Sequence, residues 1–67
     1  MDSYKDLELY ETYQYKDNSG YDIICICTEI DKNFSTFKVI SSGGKKWSNP
    51  TLYLSNMRIK YYLTKLS

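Results

Sequence analysis

The chain has 67 residues, of which 42% are hydrophobic and 25% charged, with a formal net charge of +1. That length allows one small domain with a thin core. Histidine is absent, which removes the commonest general base near neutral pH and excludes Ser-His-Asp and Cys-His nucleophilic arrangements.

Residues 1–7 read as a loosely ordered leader, with room for one helical turn around Ser3. Residues 8–16, ELYETYQYK, alternate: Leu9, Glu11, Tyr13 and Tyr15 share one face, and Tyr10, Thr12, Gln14 and Lys16 the other. Tyrosine and threonine suit a pleated surface, so a strand is predicted. DNSG, residues 17–20, is a turn in which Asp and Asn bond locally and Gly20 accepts a positive φ.

YDIICICTEI, residues 21–30, is apolar on both sides in its middle, the pattern of a central strand covered twice. Its two cysteines, Cys25 and Cys27, share a face and read as reduced core thiols. With no histidine, they cannot complete a four-ligand zinc site within one chain. DKN turns the chain at 31–33. FSTFKVIS, 34–41, is a third strand with Phe37 and Val39 on one face and Lys38 and Ile40 on the other.

A hairpin tip is predicted at Ser42-Gly43-Gly44. KKW then starts a fourth strand, Asn49-Pro50 interrupts it, and TLYL continues it at an edge or bulge. In LSNMRIKYYLTKLS, Ile59, Tyr62, Leu63 and Leu66 fit a helical stripe that Ser55 or Asn56 can cap. Met57, Ile59, Tyr61 and Leu63 also alternate as a strand would. A short helix over about 56–62 followed by a brief last strand satisfies most of both signals.

This order, with GYDIICICTEID and FSTFKVIS as a central hairpin and YLSNMRIKYYLTKL as a closing segment, resembles the small Src-homology-3-like barrels. That group includes Tudor-like and related phage and bacterial domains. The resemblance covers residues 8–66 and implies a mainly β fold: about five antiparallel strands in a barrel, with a short C-terminal helix. The alternative is an α+β open antiparallel sheet with one C-terminal helix. The resemblance carries no motif that assigns a functional residue.

Charge is divided unevenly. All eight acids lie in residues 1–31, offset only by Lys5 and Lys16, which leaves −6; residues 32–67 carry seven cations and no acid, +7. Either the halves neutralise each other across strands, or one face meets a charged partner. The acidic pairs Asp6/Glu8 and Glu29/Asp31 have little room for a cleft that would tune them as catalysts. SSGGKKW lacks the spacing of a phosphate loop. No enzymatic activity, cofactor or metal is expected.

The expected function is a non-enzymatic protein-binding module with the profile of a small phage accessory protein: an inhibitor or modulator of a host or defence protein. The eight tyrosines and the single tryptophan are residue types that anchor such interfaces. The candidate partner contacts are Lys45, Lys46, Trp47, Tyr13, Tyr15 and Tyr53. The alternative is single-stranded nucleic-acid binding, with stacking on Trp47 and a cationic track of Lys45, Lys46, Arg58, Lys60 and Lys65. A structural, self-assembling role is the third reading, and free strand edges suit a homodimer. The acidic opening segment is no signal peptide, and no stretch reaches the roughly 18 apolar residues of a membrane span. The expected location is the cytoplasm, the host's if the protein is phage-encoded.

Overall fold

The computed structural model describes residues 2–44 and 46–66. Its five strands are β1 (Thr12–Lys16), β2 (Asp22–Glu29), β3 (Phe34–Ser41), β4 (Thr51–Ser55) and β5 (Leu63–Lys65). They form one antiparallel sheet in the order β4-β3-β2-β1-β5. One helix, α1 (Asn56–Tyr62), lies in the chain between β4 and β5. The fold is therefore mainly β. The expected closure into a barrel is not made by the hydrogen-bond ladder, because β4 and β5 remain the two edges of an open sheet.

The β2–β3 pairing is irregular between Ile24 and Cys25 and again between Cys27 and Glu29, and such bulges bend a strand and raise its twist. Strands in a flat sheet sit about 4.8 Å apart, so β1 and β4, three positions apart, would be separated by roughly 14 Å. Tyr15 of β1 and Leu54 of β4 nevertheless line one groove, so side chains of non-neighbouring strands reach a common space over the inner face.

That inner face is the core. Tyr13 and Tyr15 from β1, Ile23, Cys25 and Cys27 from β2, and Phe37 and Val39 from β3 are buried together. Leu54 from β4, Ile59 from α1 and Leu63 from β5 complete it. Among the described residues Ser35 is the one buried polar residue, and its hydroxyl accepts from Asp31 N–H at 3.1 Å and donates to Asp31 C=O at 3.2 Å. The buried hydroxyl is thus satisfied, and it fastens the β2–β3 turn.

Helix α1 begins where Ser55 Oγ accepts from the Arg58 backbone N–H at 3.4 Å. With seven residues it is too short to persist alone; burial of Ile59 holds it on the sheet.

Three local expectations need correction. Residues 4–6 form a 3₁₀ turn, N-capped by Ser3 in a reciprocal box with Asp6. The Tyr4 N–H donates to Asn56 Oδ1 at 2.7 Å, and Leu7 is only 6% exposed, so the leader docks on α1 and contributes to the core. Residues 8–11 are not strand. Tyr10 takes φ 64, with its N–H bonded to Cys27 C=O at 2.7 Å, and Cys27 N–H returns to Glu11 C=O at 3.1 Å. Finally, Lys46 and Trp47 lie in a loop, and the fourth strand begins only at Thr51. Pro50 still extends the pairing, because its carbonyl accepts from Val39 N–H at 2.8 Å.

Among the described residues no helix is long and apolar enough to cross a membrane.

Candidate functional site

The site is assembled from four separate pieces of chain. The β1–β2 turn supplies Asp17 and Tyr21. Gly20, at φ 92, lets the turn close. Asp17 Oδ1 accepts from the Ser19 and Tyr21 N–H groups at 2.9 and 3.4 Å, so the carboxylate is built into the turn. The loop before β4 supplies Trp47, β4 supplies Leu52, Tyr53 and Leu54, and the first turn of α1 supplies Arg58.

These pieces enclose a groove of about 200 Å³ floored by Tyr15 and Ile23. Trp47 is half-buried against the core and meets Tyr21 with ring centroids 6.4 Å apart and planes tilted by 54°. Tyr53 on the opposite side is 62% exposed. A second, more open depression of about 350 Å³ is also lined by Tyr21 and Trp47 and reaches Lys46, Ser48 and Asn49. The two rings are therefore a shared wall.

One polar network underlies the groove. The Tyr15 hydroxyl donates to Asp17 Oδ2 at 2.7 Å and accepts from Arg58 Nη1 at 2.8 Å. Arg58 Nη1 also stands 3.6 Å from Asp17 Oδ2. The Tyr15 hydrogen bond, reinforced by the turn N–H groups and Arg58, holds the Asp17 carboxyl below its ordinary pKa. Burial pushes the Tyr15 hydroxyl upward, so it remains a neutral donor. The Asp17 side chain is 6% exposed and the Arg58 side chain 51% exposed: the acid is enclosed and the cation reaches solvent.

The network also bears on the uneven charge distribution. Among the described residues the two ion pairs, Arg58–Asp17 and Lys65–Glu8 at 3.3 Å, each join a cation of the second half to an acid of the first. Part of the asymmetry is thus neutralised internally.

Of the residues proposed from sequence as partner contacts, Tyr15, Trp47 and Tyr53 meet in the groove, and Lys46 stands at its neighbour. Tyr13 must be withdrawn. It is 0% exposed, its ring sits edge-on to Phe37 at 6.0 Å, and its hydroxyl accepts from Glu8 N–H at 2.8 Å. Lys45 lies outside the described residues. From the nucleic-acid set, Arg58 joins the groove, whereas Lys65 is tied to Glu8 and the Lys60 ammonium lies 5.5 Å from the Tyr61 ring centre. Neither of these two lines the groove.

Sequence reasoning passed over Asp17 and Tyr21. Both sat in or beside a segment read only as a turn, and no local signal said that a tryptophan would pack there. The cysteines are structural: burial raises both thiol pKa values, that of Cys25 to about 12. Among the described residues no group of three or more His, Cys, Asp or Glu side chains is placed to hold a metal ion.

No family model matches the chain, and no curated protein or solved structure matches it either.

Proposed function

We propose that this chain is a small non-enzymatic protein-binding module that receives a segment of its partner in the Tyr21–Trp47–Tyr53 groove. In this reading the fold is a Src-homology-3-like barrel left open between its edge strands, with α1 spanning the gap. The observation that carries the function is the groove itself: aromatic walls with polar tips, one of them largely exposed, over a floor fixed by a satisfied hydrogen-bond network. Aromatic anchors beside a fixed polar group are the usual energetic centre of a protein interface. A pocket of this size takes one side chain of a partner. The chain's size and composition fit a phage-encoded inhibitor or modulator of a host or defence protein.

Single-stranded nucleic-acid binding is the second reading. Lys46 and Trp47 bordering one depression favours it, since that places a cation beside a stacking plane.

The test is capture from cell lysate with the wild-type chain and with Tyr53→Ala, each with and without nuclease. Tyr53 is exposed, so its truncation leaves the fold intact. The proposal expects a protein band that survives nuclease and is lost with Tyr53→Ala. A band that vanishes with nuclease transfers the weight to the second reading.

A further inference from the structure

The charges around the groove say more about its occupant. Resting on the reading of the groove as a protein-docking site, we infer that the bound segment is an acidic peptide with one apolar anchor. The anchor enters between Trp47, Tyr21 and Tyr53, and flanking carboxylates meet Arg58 and Lys46.

Among the described residues lining the two depressions, Asp17 is the one acid. Its carboxylate is committed inward: it accepts from the Tyr15 hydroxyl and two turn N–H groups, and it faces Arg58. A partner entering the groove therefore meets little negative charge. The cations are arranged the other way. Lys46 is exposed. The Arg58 side chain is half exposed, and its contacts with Tyr15 and Asp17 both run through Nη1. Guanidinium has five N–H donors in a planar fork that matches a carboxylate. Held by Tyr15 and Asp17, this fork is oriented before a ligand arrives, which lowers the entropic cost of binding.

The pattern favours a peptide over a nucleic-acid strand. A strand needs cations in a continuous track beside its stacking rings. Here Lys65 is paired with Glu8 and Lys60 is engaged over Tyr61, and neither borders the groove. Among the described residues, Arg58 lines the groove of about 200 Å³ and Lys46 the adjoining depression, two separated cations and not a track.

Trp47 is the only tryptophan, so its fluorescence reports on the groove directly. The probes are three end-blocked peptides with a central Phe, flanked by Asp and Glu, by Ser, or by Lys, together with a thymidine oligonucleotide. The acidic peptide is expected to shift Trp47 emission with a Kd about tenfold below that of the Ser peptide. That advantage should shrink as salt is raised. Lys46→Glu, on an exposed loop, should weaken acidic-peptide binding about fivefold without changing the melting temperature. Arg58→Gln should weaken it at least as much, with melting measured alongside because Arg58 also braces the turn. Equal affinity for all three peptides, or preference for the Lys peptide, overturns the acidic-segment inference and leaves the groove as a docking site. No response to any peptide overturns it too, and the docking reading is then decided by the Tyr53→Ala capture. Tighter binding of the oligonucleotide than of the acidic peptide assigns the cations to phosphates instead.

Discussion

Tyr13 and Tyr15 stand on one face of the same strand, two residues apart, and are both buried. Their surroundings differ sharply. The Tyr13 end is sealed by the docked leader: the hydroxyl meets the Glu8 backbone, and Leu7 joins the same core cluster. The Tyr15 end is covered by α1, whose Tyr62 ring stands edge-on to Tyr15 at 6.1 Å, but it also borders an open groove, and its hydroxyl belongs to the Asp17–Arg58 network beneath that groove. The same residue type thus closes a core at one end and floors a site at the other. Coverage by the next layer of chain makes the difference.

The comparison can be broken at several points. Phe37→Ala, at the sealed end, should cost about 3–5 kcal/mol in urea unfolding. That approaches the whole stability of a domain this small. Leu7→Ala should cost about 2–3 kcal/mol; a frayed leader would make it silent, and the sealed end would lose its lid. Trp47→Ala, at the open end, should cost only about 1–2 kcal/mol, since the ring is half-buried, while abolishing partner capture. A loss as large as that of Phe37→Ala would make Trp47 a core residue first.

Alkaline unfolding probes the buried tyrosines and thiols together. Burial raises the pKa of Tyr13, Tyr15, Cys25 and Cys27 in the folded chain. Their neutral forms favour the fold fully below the unfolded thiol value of about 8.5. That contribution declines as pH rises and, for Cys25, is lost by about pH 12. Stability should therefore fall from about pH 8.5 upward. Thiol reagents at neutral pH should label the cysteines only as the chain unfolds. The smallest effect is at acid pH. Asp17 is held below its ordinary range, so its contribution is present above about pH 3.9 and is lost as pH falls through the lower folded value. Asp17→Asn should flatten that acid limb.

Much of the scaffold was legible because its signals are local. FSTFKVIS alternates cleanly and forms β3 over those eight residues. A cap at Ser55 or Asn56 before the Ile59 stripe suggests a helix near 56–62, although the same residues also alternate as a strand would, and α1 forms over Asn56–Tyr62 with Ser55 as its cap. What misled was also local. ELYETYQYK alternates well enough to suggest one strand, but Tyr10 is held at positive φ by a bond to Cys27, a partner distant in sequence. KKW has strand-like residues, yet Trp47 is placed by Tyr21 and the core, not by its neighbours. Part of the candidate site was visible as aromatic composition: Trp47, Tyr53 and Tyr15. Asp17 and Arg58 meet only because α1 returns the chain to the β1–β2 turn, which no spacing in the sequence encodes.

The most direct measurement is a two-dimensional ¹⁵N NMR titration with the captured partner, following the single Trp47 indole N–H. The account predicts that this signal moves together with the amides of Tyr21, Tyr53 and Arg58, while those of Tyr13, Cys25 and Ile59 stay in place. Shifts confined to the exposed side of α1 or the outer face of β2 and β3, with the indole signal unmoved, would contradict it.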